Sequence, residues 1–224
     1  MFFFSCEERA KTTFSEISIS TENNTIVEVN IPKANGHHDV INSSIEKVVM
    51  SALQVGGPST IKLKTIEESI SSFNKEYETF KNDFPESAQI WDAQIDGEVL
   101  FQSPGIISIS ITSYVNTGGA HGILNISFLN FNSMTGKPIT NENLFLNIEA
   151  FKEIADTHFN KAIKKKDMLF ELDKFELPAN IGYTEDGLVL LYNTYEIAPY
   201  STGIIEFAIP FDEIDSYLVF NGTH

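Results

Sequence analysis

The sequence predicts an α+β protein, in which antiparallel sheet meanders carry amphipathic helices packed on them, in two sequential sub-domains. Three observations carry this. Several runs alternate apolar and polar residues with a period of two, as in Trp91, Ala93, Ile95, Val99 and Phe101 set against Asp92, Gln94, Asp96 and Glu98. Other runs repeat apolar residues at helical spacing, as in Phe151, Ile154, Ala155, His158, Phe159, Ala162 and Ile163. The two kinds of run are grouped rather than strictly alternating, which favours α+β over a βαβ array.

Taken in order, residues 1–14 read as a tether and residues 15–122 and 123–224 as the two sub-domains. Phe14 to Ser20 and Thr25 to Ile31 alternate around Glu22-Asn23-Asn24, which predicts a hairpin. Pro32 to Gly36 breaks the pattern, and Asp39 can cap a helix with the apolar face Ile41, Ile45, Val48, Val49 and Ala52, ended by Gly56-Gly57-Pro58. Thr65-Ile66-Glu67-Glu68 has the form of a capping box, and Ile66, Ile70, Phe73, Tyr77, Phe80 and Phe84 continue it as a second helix closed by Pro85.

From Ala88 the period is two, which predicts an antiparallel strand with one wet side. Ser103-Pro104-Gly105 turns it into a strand over Ile107 to Val115, and Asn116-Thr117-Gly118-Gly119 turns that into Ile123 to Phe131. Both glycines of the loop are expected at positive φ. Thr140 can cap a short helical turn carrying Leu144 and Phe145, and Asn147 begins the helix of Phe151 to Ile163. Glu185-Asp186-Gly187 predicts a hairpin between Ile181 to Thr184 and Leu188 to Tyr192, followed by a strand over Ile204 to Ile209 and a short helix over Phe211 to Leu218.

Composition narrows the function. The chain has 224 residues, 42% hydrophobic and 12% aromatic, enough for a substantial core. A net charge of -16, with Arg9 the only arginine, argues against nucleic acid and makes a basic partner the natural complement. No run approaches the roughly 20 apolar residues of a spanning helix, so membrane association is expected only through the N-terminus. There Met1-Phe2-Phe3-Phe4-Ser5-Cys6-Glu7-Glu8 resembles the lipobox of bacterial lipoproteins, in which the cysteine is lipidated; a greasy terminus with an ordinary thiol is the alternative. The lone Cys6 excludes an intramolecular disulfide, and no metal or cofactor is expected.

Candidate residues lie in two places. The first is the glycine loop, with Tyr114, Asn116, Gly118, Gly119 and His121; the histidine could face a ligand or fasten the hairpin through its ring nitrogens. The second is Tyr195-Glu196-Ile197-Ala198-Pro199-Tyr200-Ser201-Thr202-Gly203, a stiff corner whose Tyr195, Pro199 and Tyr200 can form a binding edge. His37-His38 read as solvated loop residues, His158 as a boundary histidine bonded to a carbonyl, and Lys164 to Lys166 as a charged helix end. No nucleophile elbow, zinc-helix motif or phosphate loop is present.

Gly118-Gly119-Ala120-His121, Asn130-Phe131 with Thr135-Gly136-Lys137, Asp186-Gly187 and Tyr195 to Gly203, in this order, are similar to paired domains of bacterial envelope proteins. These are the extracytoplasmic region of RsiV-type anti-sigma factors, which sense lysozyme, and the non-catalytic region of PdaC-type peptidoglycan deacetylases. The resemblance implies an extracytoplasmic, non-catalytic module whose first half ends near His121. Its expected ligand is a basic protein such as a lysozyme-like muramidase, or peptidoglycan. The alternatives are a wall-acting hydrolase using His121 with a carboxylate, and a structural envelope protein.

Overall fold

A computed structural model describes residues 11–22, 25–36, 38–56, 64–163, 168–171 and 174–222; Cys6, Arg9, His37 and Lys164 to Lys166 lie outside these. The first and larger layer is a six-stranded sheet in the order β1-β2-β3-β4-β5-β6. Its strands are β1 (Phe14–Glu22), β2 (Ile26–Ala34), β3 (Asp92–Gln102), β4 (Ile106–Asn116), β5 (Ile123–Asn132) and the short β6 (Pro138–Ile139). β1 and β2 form the expected hairpin, but β2 runs on through Pro32. Its pairing to β3 ends earlier, at Asn30 against Asp96, so no β3 hydrogen bond is required of the proline.

One pairing departs from a pure meander. β2 and β3 run parallel, because the chain between them spans α1 (Asp39–Ala52) and α2 (Ile66–Asp83) and returns to start at the same end. Both helices cover one face, where Ile41, Ile45 and Val49 of α1 meet Val27, Val29, Ile95, Ile109 and Ile111 of the sheet. Trp91 anchors α2, with the rings of Phe73, Tyr77 and Phe80 at 5.5, 5.7 and 5.5 Å from its own. Thr65 caps α2 by accepting from the Glu68 N–H, whereas Asp39 lies inside α1 and the capping position is His38, which makes no side-chain cap. His38 is not a solvated loop residue either: it is half-buried, with Nε2 3.2 Å from Thr12 Oγ1.

The second layer is a three-stranded antiparallel sheet of β7 (Asn180–Tyr183), β8 (Gly187–Tyr192) and β9 (Ile205–Pro210), packed with α3 (Ile148–Ala162) and α4 (Phe211–Ile214). It lies against the other face of β4 and β5, so part of the face expected to be wet is dry. A bulge between Val99 and Phe101 makes the change: Val99 stays with the helical core, while Phe101 turns to the opposite face and packs on Tyr183 and Phe211. In β4, Ile107 serves the first core and its neighbour Ile106 the second. Burial holds the phenols of Tyr183 and Tyr192 well above the ordinary range, so both remain neutral donors, to the carbonyls of Phe220 and Glu176.

Asparagines join the layers. Asn193 accepts from the Ile126 N–H at 2.9 Å and donates to the Ile126 carbonyl at 2.8 Å, as a neighbouring strand would. Asn180 accepts from the Phe128 N–H at 3.1 Å, and Asn130 donates to the Ile181 carbonyl at 2.7 Å. Gly182 lies close on the Phe128 ring, 2.9 Å from where a Cβ would stand. The expected division at residues 122 and 123 falls within the β4–β5 hairpin, whose strands are paired from Ile106 against Asn132 to Val115 against Ile123. His158 on α3 is bonded to Glu213 at 3.1 Å rather than to a carbonyl.

Candidate functional site

The glycine loop is built by its own side chains. Asn116 Oδ1 accepts from the Gly118 N–H at 3.0 Å, and Gly118 takes φ +80, where a Cβ would also displace the exposed Gln89 side chain, whose Oε1 lies 2.6 Å from its place. Gly119 departs from expectation: it is not at positive φ, and a Cβ there would meet nothing nearer than 3.9 Å. Gly118→Val is therefore expected to lower stability by about 1–3 kcal/mol through strain and overlap. Gly119→Val should change it by less than about 0.5 kcal/mol, since exposed sites free of such features are tolerant. Paired denaturant titrations would check the contrast.

The corner is a strained turn held at both ends. Tyr195 has φ +69 at the third position of a turn closed by the Glu196 N–H donating to the Asn193 carbonyl at 3.1 Å. Glycine is the ordinary choice there. The tyrosine is kept in place because Glu196 accepts from the Asn193 N–H at 2.8 Å and the Ala179 N–H at 3.0 Å, while the Asn193 amide is locked to Ile126. Its ring is 60% exposed. Pro199 leads into a 3-10 turn over Tyr200–Thr202, and Gly203 at φ +77 ends it.

These two segments, nearly eighty residues apart, meet. His121 stacks on Tyr200 with ring centroids 4.0 Å apart, and the Tyr195 ring lies 5.7 Å from that of Tyr200. The Tyr200 hydroxyl donates to the Gly122 carbonyl at 3.0 Å. Tyr114 packs close on Gly122, whose missing Cβ would fall 2.4 Å from the hydroxyl end of the ring. Nothing in the sequence separates Gly122 from the loop glycines before it, and its role is set by a contact that only folding makes. Tyr200 is half-buried and partly structural, so Tyr195 is the freer contact.

Strand register extends this corner into a surface. On the face of β1 to β3 that the second layer leaves open, one row across the sheet reads Ser20, Glu28, Gln94, Tyr114 and Leu124, and the next reads Ser18, Asn30, Asp96 and Thr112. Glu16, Asp92 and Glu98 flank these rows, and Glu16, Glu28, Asp96 and Glu98 are exposed. The row thus ends in the aromatic corner. On the opposite side of the hairpin a groove of about 310 Å³ runs between the end of α1 and β4, lined by polar Gln54, Ser113, Thr117, His121 and Asn125 and by apolar Val55, Val115 and Ile123. Among the described residues no group of three or more His, Cys, Asp or Glu could hold a metal. No helix there is long and apolar enough to cross a membrane.

Residues 19–124 match the family model described as Deacetylase PdaC, and residues 137–212 match the one described as Protein of unknown function (DUF3298). The chain thus pairs a region similar to the PdaC model, its PdaC region, with a region similar to the DUF3298 model, its DUF3298 region. Among curated proteins none matches. A crystal structure of a DUF3298 family member from Bacteroides fragilis is similar over 94% of both chains, with 19% identity and a TM-score of 0.66. Another, from Pseudomonas aeruginosa, is similar over 95% of this chain and 94% of its own, with 21% identity and a TM-score of 0.57. At these identities the likeness is one of fold. The candidate site straddles the pair: Tyr114, Asn116, Gly118, Gly119 and His121 lie in the PdaC region, and Tyr195, Pro199 and Tyr200 in the DUF3298 region. The word deacetylase describes the family model and assigns no reaction to these residues.

Proposed function

We propose that this PdaC–DUF3298 pair is a non-catalytic, extracytoplasmic binding module that docks a basic protein, of the lysozyme-like muramidase class, on the open face of its six-stranded sheet. The row from Ser20 through Glu28 and Gln94 to Tyr114 and Leu124 carries the reading, because it joins an acidic field to an aromatic anchor on one surface. Carboxylates attract the partner over distance. Tyr195, Tyr200 and Tyr114 offer apolar area with little rotamer entropy to lose. A lipid at Cys6 would hold the module at the envelope surface. Lipidation is tested by fatty-acid labelling of the chain and of Cys6→Ser.

Surface plasmon resonance with a basic muramidase tests the reading. At ~0.15 M ionic strength the screening length is about 8 Å, so raising salt toward 1 M should slow association while changing dissociation little. Tyr195→Gly should raise the dissociation rate without lowering the melting temperature, because glycine relieves the positive φ as it removes the ring. Absence of binding at low salt would overturn the proposal. So would wall-hydrolysing activity of the pure protein that vanishes in His121→Ala.

The groove beside His121 favours a second ligand class. Its hydroxyl and amide groups suit a neutral polyol such as a glycan strand. Binding of soluble peptidoglycan fragments that is insensitive to salt would select this reading.

A further inference from the structure

The two long edges of the large sheet are treated differently. Along β5 the outward N–H groups of Ile126 and Phe128 are occupied by the side chains of Asn193 and Asn180, and β6 pairs with Asn130 and Phe131 beyond them. Along β1 nothing comparable is built among the described residues. The strand is 9 residues long, FSEISISTE, paired to β2 without a bulge, and contains no lysine or proline. Among the described residues no strand pairs with its other side. The described residues that lead into β1, 11–13, do not lie over that edge, since Thr12 is bonded to Gln102 at 2.9 Å and to His38 at 3.2 Å, on the far side of β2. Proteins ordinarily blunt such an edge with lysine, proline, a bulge or a cover.

We propose that the free edge of β1 accepts an extended, basic segment of a partner protein as a seventh strand. This rests on the docking of a basic protein on the adjoining face and states how that partner is gripped. Main-chain bonds to β1 would supply register, and side chains would alternate between two environments. On the open face the incoming residues lie beside Glu16, Ser18 and Ser20, with Glu28 and Asn30 on the next strand. On the other face they lie beside half-buried Ile17 and Ile19, at the margin of the helical core. The segment that fits alternates Lys or Arg with Val, Ile or Leu. A second copy of the chain fits poorly, because pairing β1 with itself would join two acidic faces of molecules that each carry a net charge of -16.

The test uses the full chain with two capped octapeptides, one alternating Lys and Val and one alternating Glu and Val, read by residue-resolved amide hydrogen exchange. Only every second N–H of β1 points outward, and since the Asn35 N–H bonds the Thr13 carbonyl these are the even residues, so the Lys peptide should slow exchange at Glu16, Ser18 and Ser20 by about tenfold or more, and the Glu peptide at none. The double variant Glu16→Lys, Ser18→Lys changes exposed side chains and should keep its melting temperature while binding the Lys peptide at least ~10-fold more weakly. No protection at ~1 mM Lys peptide, a concentration that detects even a weak complex, would overturn the proposal. Protection of β1 that instead grows with protein concentration and accompanies a dimer in sedimentation would assign the edge to a second copy and overturn it too. Muramidase binding without protection of β1 would overturn the edge and leave the face reading standing. Protection by the Lys peptide with no muramidase binding would do the reverse.

Discussion

Glu28→Lys, Asp96→Lys and Glu98→Lys together are expected to slow association with a basic muramidase by about ten- to a hundredfold at low ionic strength. Each replacement shifts the net charge of -16 by two units and does so on the open sheet face. The side chains are exposed, and the bond from Asn30 to Asp96 at 3.1 Å is exposed as well, so each change should alter stability by no more than about 0.5 kcal/mol. Stopped-flow association at several salt concentrations gives the measurement. At 1 M salt, where the screening length is about 3 Å, variant and parent should converge. Reversing Glu76, Glu86 and Glu185 instead makes the same change in net charge away from this face, and should slow association far less. Equal slowing in both variants would mean that overall charge, not this surface, steers the partner.

Phe101→Ala is expected to cost about 3–5 kcal/mol, the range for removing a buried phenylalanine ring, and to lower the melting temperature by roughly 6–20 °C. The ring is 3% exposed and packs between Tyr183 at 5.8 Å and Phe211 at 6.0 Å. It is the side chain that β3 sends into the second core, so its loss weakens the attachment of the two layers as well as opening a cavity. Val99→Ala, two residues earlier and only half-buried on the other face, should cost appreciably less. Thermal unfolding of both variants, followed by near-ultraviolet circular dichroism, compares them.

The sequence was legible where local chemistry decides structure. Turn residues at Glu22, at Gly118 and at Asp186-Gly187 located three hairpins, and Thr65 and Asn147 located two helix starts. It was opaque where pairing is set at a distance. Nothing in β2 or β3 reports that two helices have returned the chain in parallel, and so nothing placed Glu28 beside Gln94 and Asn30 beside Asp96. A bulge leaves alternation looking intact, which is why Phe101 read as a partner of Val99 although the two face different cores. The glycine loop and the tyrosine corner were each visible alone. Their contact through His121 and Tyr200 arises because Asn193 locks the corner to β5, a bond between an amide side chain and a backbone that no periodicity encodes. The positive φ of Tyr195 runs against its residue type and was likewise hidden.

The hairpin of β4 and β5 spans the place where the first family match ends, at residue 124. A fragment cut there would leave β4 with an open side along its whole length and both its faces stripped of part of their cover, since Ile107 needs Phe131 beside it and Ser108 holds the Tyr183 N–H at 3.0 Å. The two matched regions therefore share the β4–β5 hairpin and its bonds. A chain that carries the open sheet face and the tyrosine corner together needs β1 to β9, and one made of either region alone would have to supply a strand and a set of amide clamps from elsewhere.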